Sequence, residues 1–227
     1  MWIRPLRQIR WNMNILAYRL WNPAWKWATR QLEEIFSDCF GIRLFGQSYL
    51  EAFAYIIAPG ISRRNSMIYP EITRRVDCMD KAAEKMGVSR PVRFTERFKK
   101  QSDNLDGMTQ LLTQVADEVS ASLWSNVVDL ANNYAKERNV PEMNEGNVSK
   151  IYEEFRLHMV PTTSPHSLVD VLNAGWRCKI NRSLWDDKKT YIEQKDWSRI
   201  LADLMLKSME VAEIHALLEE SNVDDHG

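Results

Sequence analysis

The stretch that decides the fold runs from residue 105 to residue 134, LDGMTQLLTQVADEVSASLWSNVVDLANNY. Leu105, Met108, Leu112, Val115, Val119, Leu123, Val127, Leu130 and Tyr134 recur at steps of three or four. That period puts them on one stripe of an α-helix, roughly 30 residues and about 45 Å long at 1.5 Å per residue. Such a helix serves a coiled coil or a bundle equally well. The rest of the chain repeats the pattern. Strict strand-type alternation is hard to find, and eight Gly and eight Pro in 227 residues are few. The expected fold class is all-α, an irregular multi-helix bundle of about seven to nine helices.

Working outward, the first helix is expected from Leu6 to Trp21 and a second from Ala24 to Leu44. Asn22–Pro23 divides them, because the residue before proline avoids the α region. Ile35, Phe36, Cys39, Phe40, Ile42, Leu44 and Phe45 are apolar nearly all round, as in a central helix. Gly46 is a natural stop. Ser48 with Glu51 three residues on reads as a capping box for a helix to Ile57. Pro70 opens a helix toward Met86 and Gly87 ends it. Downstream helices are expected from Val148 to Met159, from Ser164–Pro165 to Cys178, and from Lys195 onward. The last has Trp197, Leu201, Leu204, Ser208, Val211, His215 and Leu218 on its inner face. An extended link near residues 87–103 suggests an N-terminal half over 1–87 and a C-terminal half over 103–227, or one compact domain.

Hydrophobic residues make up 44% of the chain and charged residues 27%, which excludes wholesale disorder, a collagen-like fibre and a disulfide mini-protein. The net charge of −1 hides a polarity. Residues 1–30 carry Arg4, Arg7, Arg10, Arg19, Lys26 and Arg30 and no acid. Residues 210–227 carry Glu210, Glu213, Glu219, Glu220, Asp224 and Asp225 and no Lys or Arg. Arginines interrupt any apolar signal-peptide core, and charges interrupt the most apolar stretch, Cys39 to Ala58. A cytoplasmic protein with no membrane span is expected. Cys39, Cys78 and Cys178 form no CxxC pair and read as reduced, buried thiols.

Catalytic motifs are sparse. There is no GxGxxG, no GxxxxGK[ST] and no GxSxG. His158, His166, His215 and His226 offer no i, i+4 pair for a helical zinc site. No catalytic constellation is complete and no cofactor is expected. Glu34 and Asp38 share one face of an apolar helix. Buried acids need partners or a metal, so they pair with an arginine such as Arg74 or Arg75, or they are ligand candidates. Trp2, Arg4, Arg7, Arg10, Trp11, Trp21, Trp25 and Trp27 interleave basic and aromatic groups, as protein interfaces do. Nucleic-acid surfaces do the same, with Arg63 and Arg64 as further candidates.

The run Leu32-Glu33-Glu34-Ile35-Phe36-Ser37-Asp38-Cys39-Phe40-Gly41, followed by Leu44-Phe45-Gly46-Gln47-Ser48-Tyr49-Leu50, resembles a group of uncharacterised bacterial zinc-peptidase-like proteins. Val171 to Trp176 and Leu204 to Glu210 resemble the same group's C-terminal part. The resemblance covers about residues 25–220 in patches. It implies a helical scaffold in which Glu34 stands where the third zinc ligand would be, with Asp38 following. The helical HExxH that would supply the other ligands is absent, and Tyr69-Pro70-Glu71 replaces a histidine-proline motif. Three functions remain. The first is a non-catalytic interaction or scaffold subunit of a bacterial multi-protein assembly, with anti-phage systems as an analogy. The second is a metal-hydrolase half whose HExxH lies elsewhere. The third is a nucleic-acid accessory protein. A second protein subunit is the expected partner. Nucleic acid and a homo-oligomer stay open.

Overall fold

The computed structural model describes residues 15–58, 69–100, 105–161, 167–181, 183–184, 186 and 192–224. The fold is all-α. Among the described residues there are seven α-helices and one short 3-10 turn, and no strand. The helices are α1 (Ile15–Phe45), α2 (Gln47–Ile57), α3 (Ile72–Lys85), α4 (Gly107–Glu137), α5 (Glu145–Arg156), α6 (Leu168–Ile180) and α7 (Gln194–Asp224), with the 3-10 turn at Thr95–Arg97.

Two compact units interleave along the chain. One comprises residues 1–40 and 53–134, the other 41–52 and 135–227. Residues 87–100, expected to link two sequential halves, lie inside the first unit.

Helix α1 passes straight through Pro23, where two helices were expected. Proline removes one i→i−4 hydrogen bond and strains the preceding turn. Burial of Ala24, Ala28, Gln31 and Ile35 on the far side offsets that loss. Gly46 ends the helix with φ +59, a left-handed conformation that costs glycine little, and its N–H donates to the Ile42 carbonyl at 2.8 Å.

In the first unit, Asp106 begins α4. Its carboxylate accepts from the Thr109 hydroxyl at 2.7 Å and from the Thr109 and Met108 amides at 3.0 and 3.1 Å. The Thr109 hydroxyl, then its amide, hold this carboxyl below the usual range. Glu71 caps α3 in the same manner, accepting from the amides of Thr73 and Arg74. The α3 core residues Ile72, Val76, Met79, Ala82 and Ala83 are buried, as are Phe94 and Phe98 around the 3-10 turn. Phe98 packs edge-on to Phe94 at 5.5 Å and against Phe53 at 5.7 Å.

The long helix forms where the period predicts it, but the expected stripe is not its buried line. The buried line in the first unit is Thr113, Ala116, Asp117, Ser120, Val128 and Ala131. Small side chains there allow close backbone approach, and Asp117 and Ser120 find a partner in Gln31. Of the expected stripe, Met108, Leu123, Leu130 and Tyr134 are exposed and Leu105, Leu112, Val115, Val119 and Val127 are half-buried; Leu111, outside the stripe, is exposed too.

In the second unit, α5, α6 and α7 enclose a core of Val148, Ile151, Phe155, Val171, Ala174, Cys178, Leu184, Trp197, Leu201 and Leu204. Asn144 and Ser167 cap α5 and α6. The α6 cap is thus Ser167; Ser164 and Pro165 lie outside the described residues. Two buried polar side chains pin the helix ends. Asp170 accepts from the Asn144 amide at 2.7 Å and the Asn147 side chain at 3.1 Å. Asn173 donates to the carbonyls of Phe45 and Val169 at 2.9 and 2.7 Å and accepts from the Ser48 amide at 2.9 Å. Ser48 therefore sits in the first turn of α2, not at its cap. The inner face of α7 runs through Trp197, Leu201, Leu204 and Ser208 as expected, with Val211 and His215 half-buried, whereas Leu218, also expected there, is exposed.

Candidate functional site

Glu34 and Asp38 converge on Arg75 of α3. The guanidinium donates to both oxygens of Asp38, at 2.6 and 2.8 Å, and stands 3.4 Å from Glu34. The Asp38 side chain is 1% exposed and that of Arg75 18%. Arg75 also lies 5.1 Å over the Phe53 ring. A carboxylate this deep requires a paired cation, and the planar fork of arginine matches both its oxygens. A zinc ion does not fit this arrangement. Both Asp38 oxygens are taken by Arg75, and among the described residues no three of His, Cys, Asp and Glu gather around a common point. Next to the pair, burial pushes the Cys39 thiol up to about 12, and the negative charge of Asp38 adds to the effect. Cys78 is pushed up to about 11, first by burial and then by Asp77. Neither is an activated nucleophile, since the reactive species is the thiolate.

A cleft of about 430 Å³ opens in the same unit, with Glu71, Arg74, Lys100, Gln110, Gln114 and Asp117 among its lining residues. Its two buried acids are already engaged. Asp117 accepts from Gln31 Nε2 at 2.8 Å, and Gln31 Oε1 accepts from the Ser120 hydroxyl at 2.8 Å. Glu71 caps α3, and its carboxylate also accepts the Thr73 hydroxyl. The lining contains no histidine and no cysteine. Gln31, Asp117 and Ser120 were not singled out in the sequence. No local signal marked them, because Asp117 and Ser120 lie off the apolar stripe and their partner Gln31 is far away in sequence.

The outer surfaces also show large apolar side chains to solvent. On α4, Met108, Leu111 and Leu130 are 49, 50 and 59% exposed. Tyr134, partly exposed, edges onto Phe36 and Phe40. On α1, Trp21 and Trp25 are exposed one turn apart, with Lys26 exposed beside them, while Trp27 is half-buried. Trp2, Arg4, Arg7, Arg10 and Trp11, and likewise Arg63 and Arg64, lie outside the described residues. Beyond Ala212, the next residues of α7 show Ile214, Leu217 and Leu218 to solvent. No described helix is long and apolar enough to cross a membrane.

Neither a protein-family model, nor a curated protein, nor a solved structure matches this chain.

Proposed function

We propose that the chain is a non-catalytic α-helical interaction subunit that works by docking a second protein on the outer face of α4. The observation that supports this reading is the mismatch on that helix. Met108, Leu123, Leu130 and Tyr134 of its apolar repeat are exposed and the rest of the repeat is half-buried, while the fully buried line is made mostly of small and polar residues. From Met108 to Tyr134 the face extends for about 39 Å at 1.5 Å per residue. A helix that spends its large side chains on solvent pays in solubility unless a partner covers them. The repeat at steps of three and four suits a partner helix laid alongside, each anchor filling a gap between partner side chains. The polar clusters give independent support, because their carboxylates are committed to Arg75, Gln31 and helix capping.

The test is purification of the tagged chain from its host beside a Leu111→Glu/Leu130→Glu variant. Both positions are exposed, so helix content is expected to stay unchanged. A stoichiometric partner carried by the parent chain and lost from the variant supports the reading. A parent chain that purifies alone, or a partner retained equally by the variant, refutes it.

A further inference from the structure

The cleft in the first unit holds cations that the fold itself does not use. Three parts of that unit build it: the start of α3, the chain just past the 3-10 turn, and the first three turns of α4. Gln110, Thr113, Gln114 and Asp117 are spaced by three, one and three residues, so one face of α4 forms a wall. Buried Phe98, packed on Phe94 and Phe53, anchors the chain two residues before Lys100. Both acids of the lining are engaged within the fold, Glu71 as the α3 cap and Asp117 with Gln31. Gln114 donates to Glu118 at 3.0 Å. Arg74, Lys100 and Gln110 differ. All three are exposed, and among the described residues their side chains take part in no hydrogen bond or ion pair. The bond from Arg74 to Glu71, at 3.2 Å, comes from the backbone amide.

What these groups lack is an acceptor. A guanidinium offers a planar fork of N–H donors, and an ammonium adds donors of its own. A carboxylate brings one negative charge. A phosphomonoester brings about −1.5 to −2 near pH 7, on three terminal oxygens. Two cations in one cleft match the phosphomonoester better. The arginine fork suits two phosphate oxygens side by side, and the lysine ammonium serves as a point charge for the third. The cleft, at about 430 Å³, falls within the range of roughly 300–1,000 Å³ typical of small-molecule sites, so room remains for the organic part. Among the described residues, Leu105 is the one apolar side chain in the lining; Thr113, Gln110 and Gln114 are hydroxyl or amide groups. Such a lining suits a hydroxylated group, which exchanges hydrogen bonds with it, over an aliphatic one. We infer that the cleft binds a sugar phosphate, with Arg74 and Lys100 on the phosphate and Gln110 on the sugar hydroxyls. The inference does not rest on docking at α4, since Met108, Leu111 and Leu130 lie outside the lining.

The test is isothermal titration calorimetry of the full chain with glucose 6-phosphate and ribose 5-phosphate, beside glucose and inorganic phosphate. At least one ester is expected to bind with a dissociation constant of about 1 mM or tighter, and glucose is expected not to bind. Arg74→Met/Lys100→Met keeps both stems and the Arg74 amide, so the α3 cap stays in place. It is expected to weaken binding about tenfold or more. Lys195→Met/Arg199→Met removes the same charge from exposed positions on α7 and is expected to leave binding unchanged. Failure of both esters to bind at about 10 mM overturns the inference. So does glucose or inorganic phosphate binding as tightly as the better ester, because the cleft then reads only one half of the ligand. An equal loss in the two variants also overturns it, since net charge and not a site would then be the cause. Should the cleft variant fail to fold, amide shifts of the isotope-labelled parent decide. Titration with the better ester is expected to move the amides of Arg74, Lys100 and Gln110 first. Shifts confined to other residues overturn the inference.

Discussion

Replacing Arg75 by methionine is expected to be among the most damaging single changes in the first unit. Methionine keeps the packing of the stem and removes only the guanidinium. Asp38, with a side chain 1% exposed, would then lose the cation that holds both its oxygens. Two unit charges at about 4 Å interact by about 4 kcal/mol at an effective dielectric constant near 20. Breaking one partner of a buried pair typically costs about 3–5 kcal/mol, set against a total stability of about 5–15 kcal/mol. We expect a loss of about 3–5 kcal/mol for Arg75→Met. Glu34 stands further away, at 3.4 Å, with its side chain 32% exposed, so Glu34→Gln is expected to cost below about 1 kcal/mol. The decisive variant is Arg75→Met/Asp38→Leu. It removes both charges and leaves an apolar pair of similar volume, so most of the lost stability is expected to return. Urea unfolding followed by circular dichroism measures the global effect, and amide exchange in α1 and α3 measures the local one. The argument fails if Arg75→Met costs less than about 1 kcal/mol, or if the double variant is as unstable as the single one.

Asn173→Ala is expected to cost about 2–4 kcal/mol, because it strands the buried Ser48 amide and loses two carbonyl contacts; thermal unfolding checks it. Gly46→Ala forces a side chain into φ +59 and toward Asn173 Nδ2 at 3.2 Å, so a loss above about 1 kcal/mol is expected in the same assay. Asp106→Ala removes the acceptor at the start of α4 and is expected to loosen its first turn, with amide exchange rising first at Met108 and Thr109. The raised thiol pKa values make the folded chain hold protons that the unfolded chain has lost. Their stabilisation is complete below the ordinary value of 9.0 and falls away as pH rises toward about 11 for Cys78 and about 12 for Cys39. A Cys39→Ala/Cys78→Ala variant is expected to show a flatter decline in stability over that window, and an identical slope would contradict the assignment.

Helix existence was legible in the sequence because period and capping chemistry act locally. Gly46, Gly87 and the steps of α4 mark their elements without help from the rest of the fold. What the pattern does not carry is direction. A stripe at steps of three and four says that a helix has an apolar face; it does not say that the face turns inward. On α4 the inward face was claimed by residues that permit close approach, Ala116 and Ala131, and by residues with a matching polar partner, Asp117 and Ser120 on Gln31. Pairing with a residue 86 positions away in sequence leaves no local trace. Pro23 failed as a helix break for the same reason: the tertiary contacts of Ala24 and Ala28 outweigh a local penalty. The pairing of Glu34 and Asp38 with arginine was foreseeable from burial alone, since an acid on an apolar face has few other partners; choosing Arg75 over Arg74 required the geometry. The same asymmetry shapes the functional reading. An apolar face that is exposed has the same period as one that is buried, and only the observed direction of Met108, Leu123 and Leu130 separates the two.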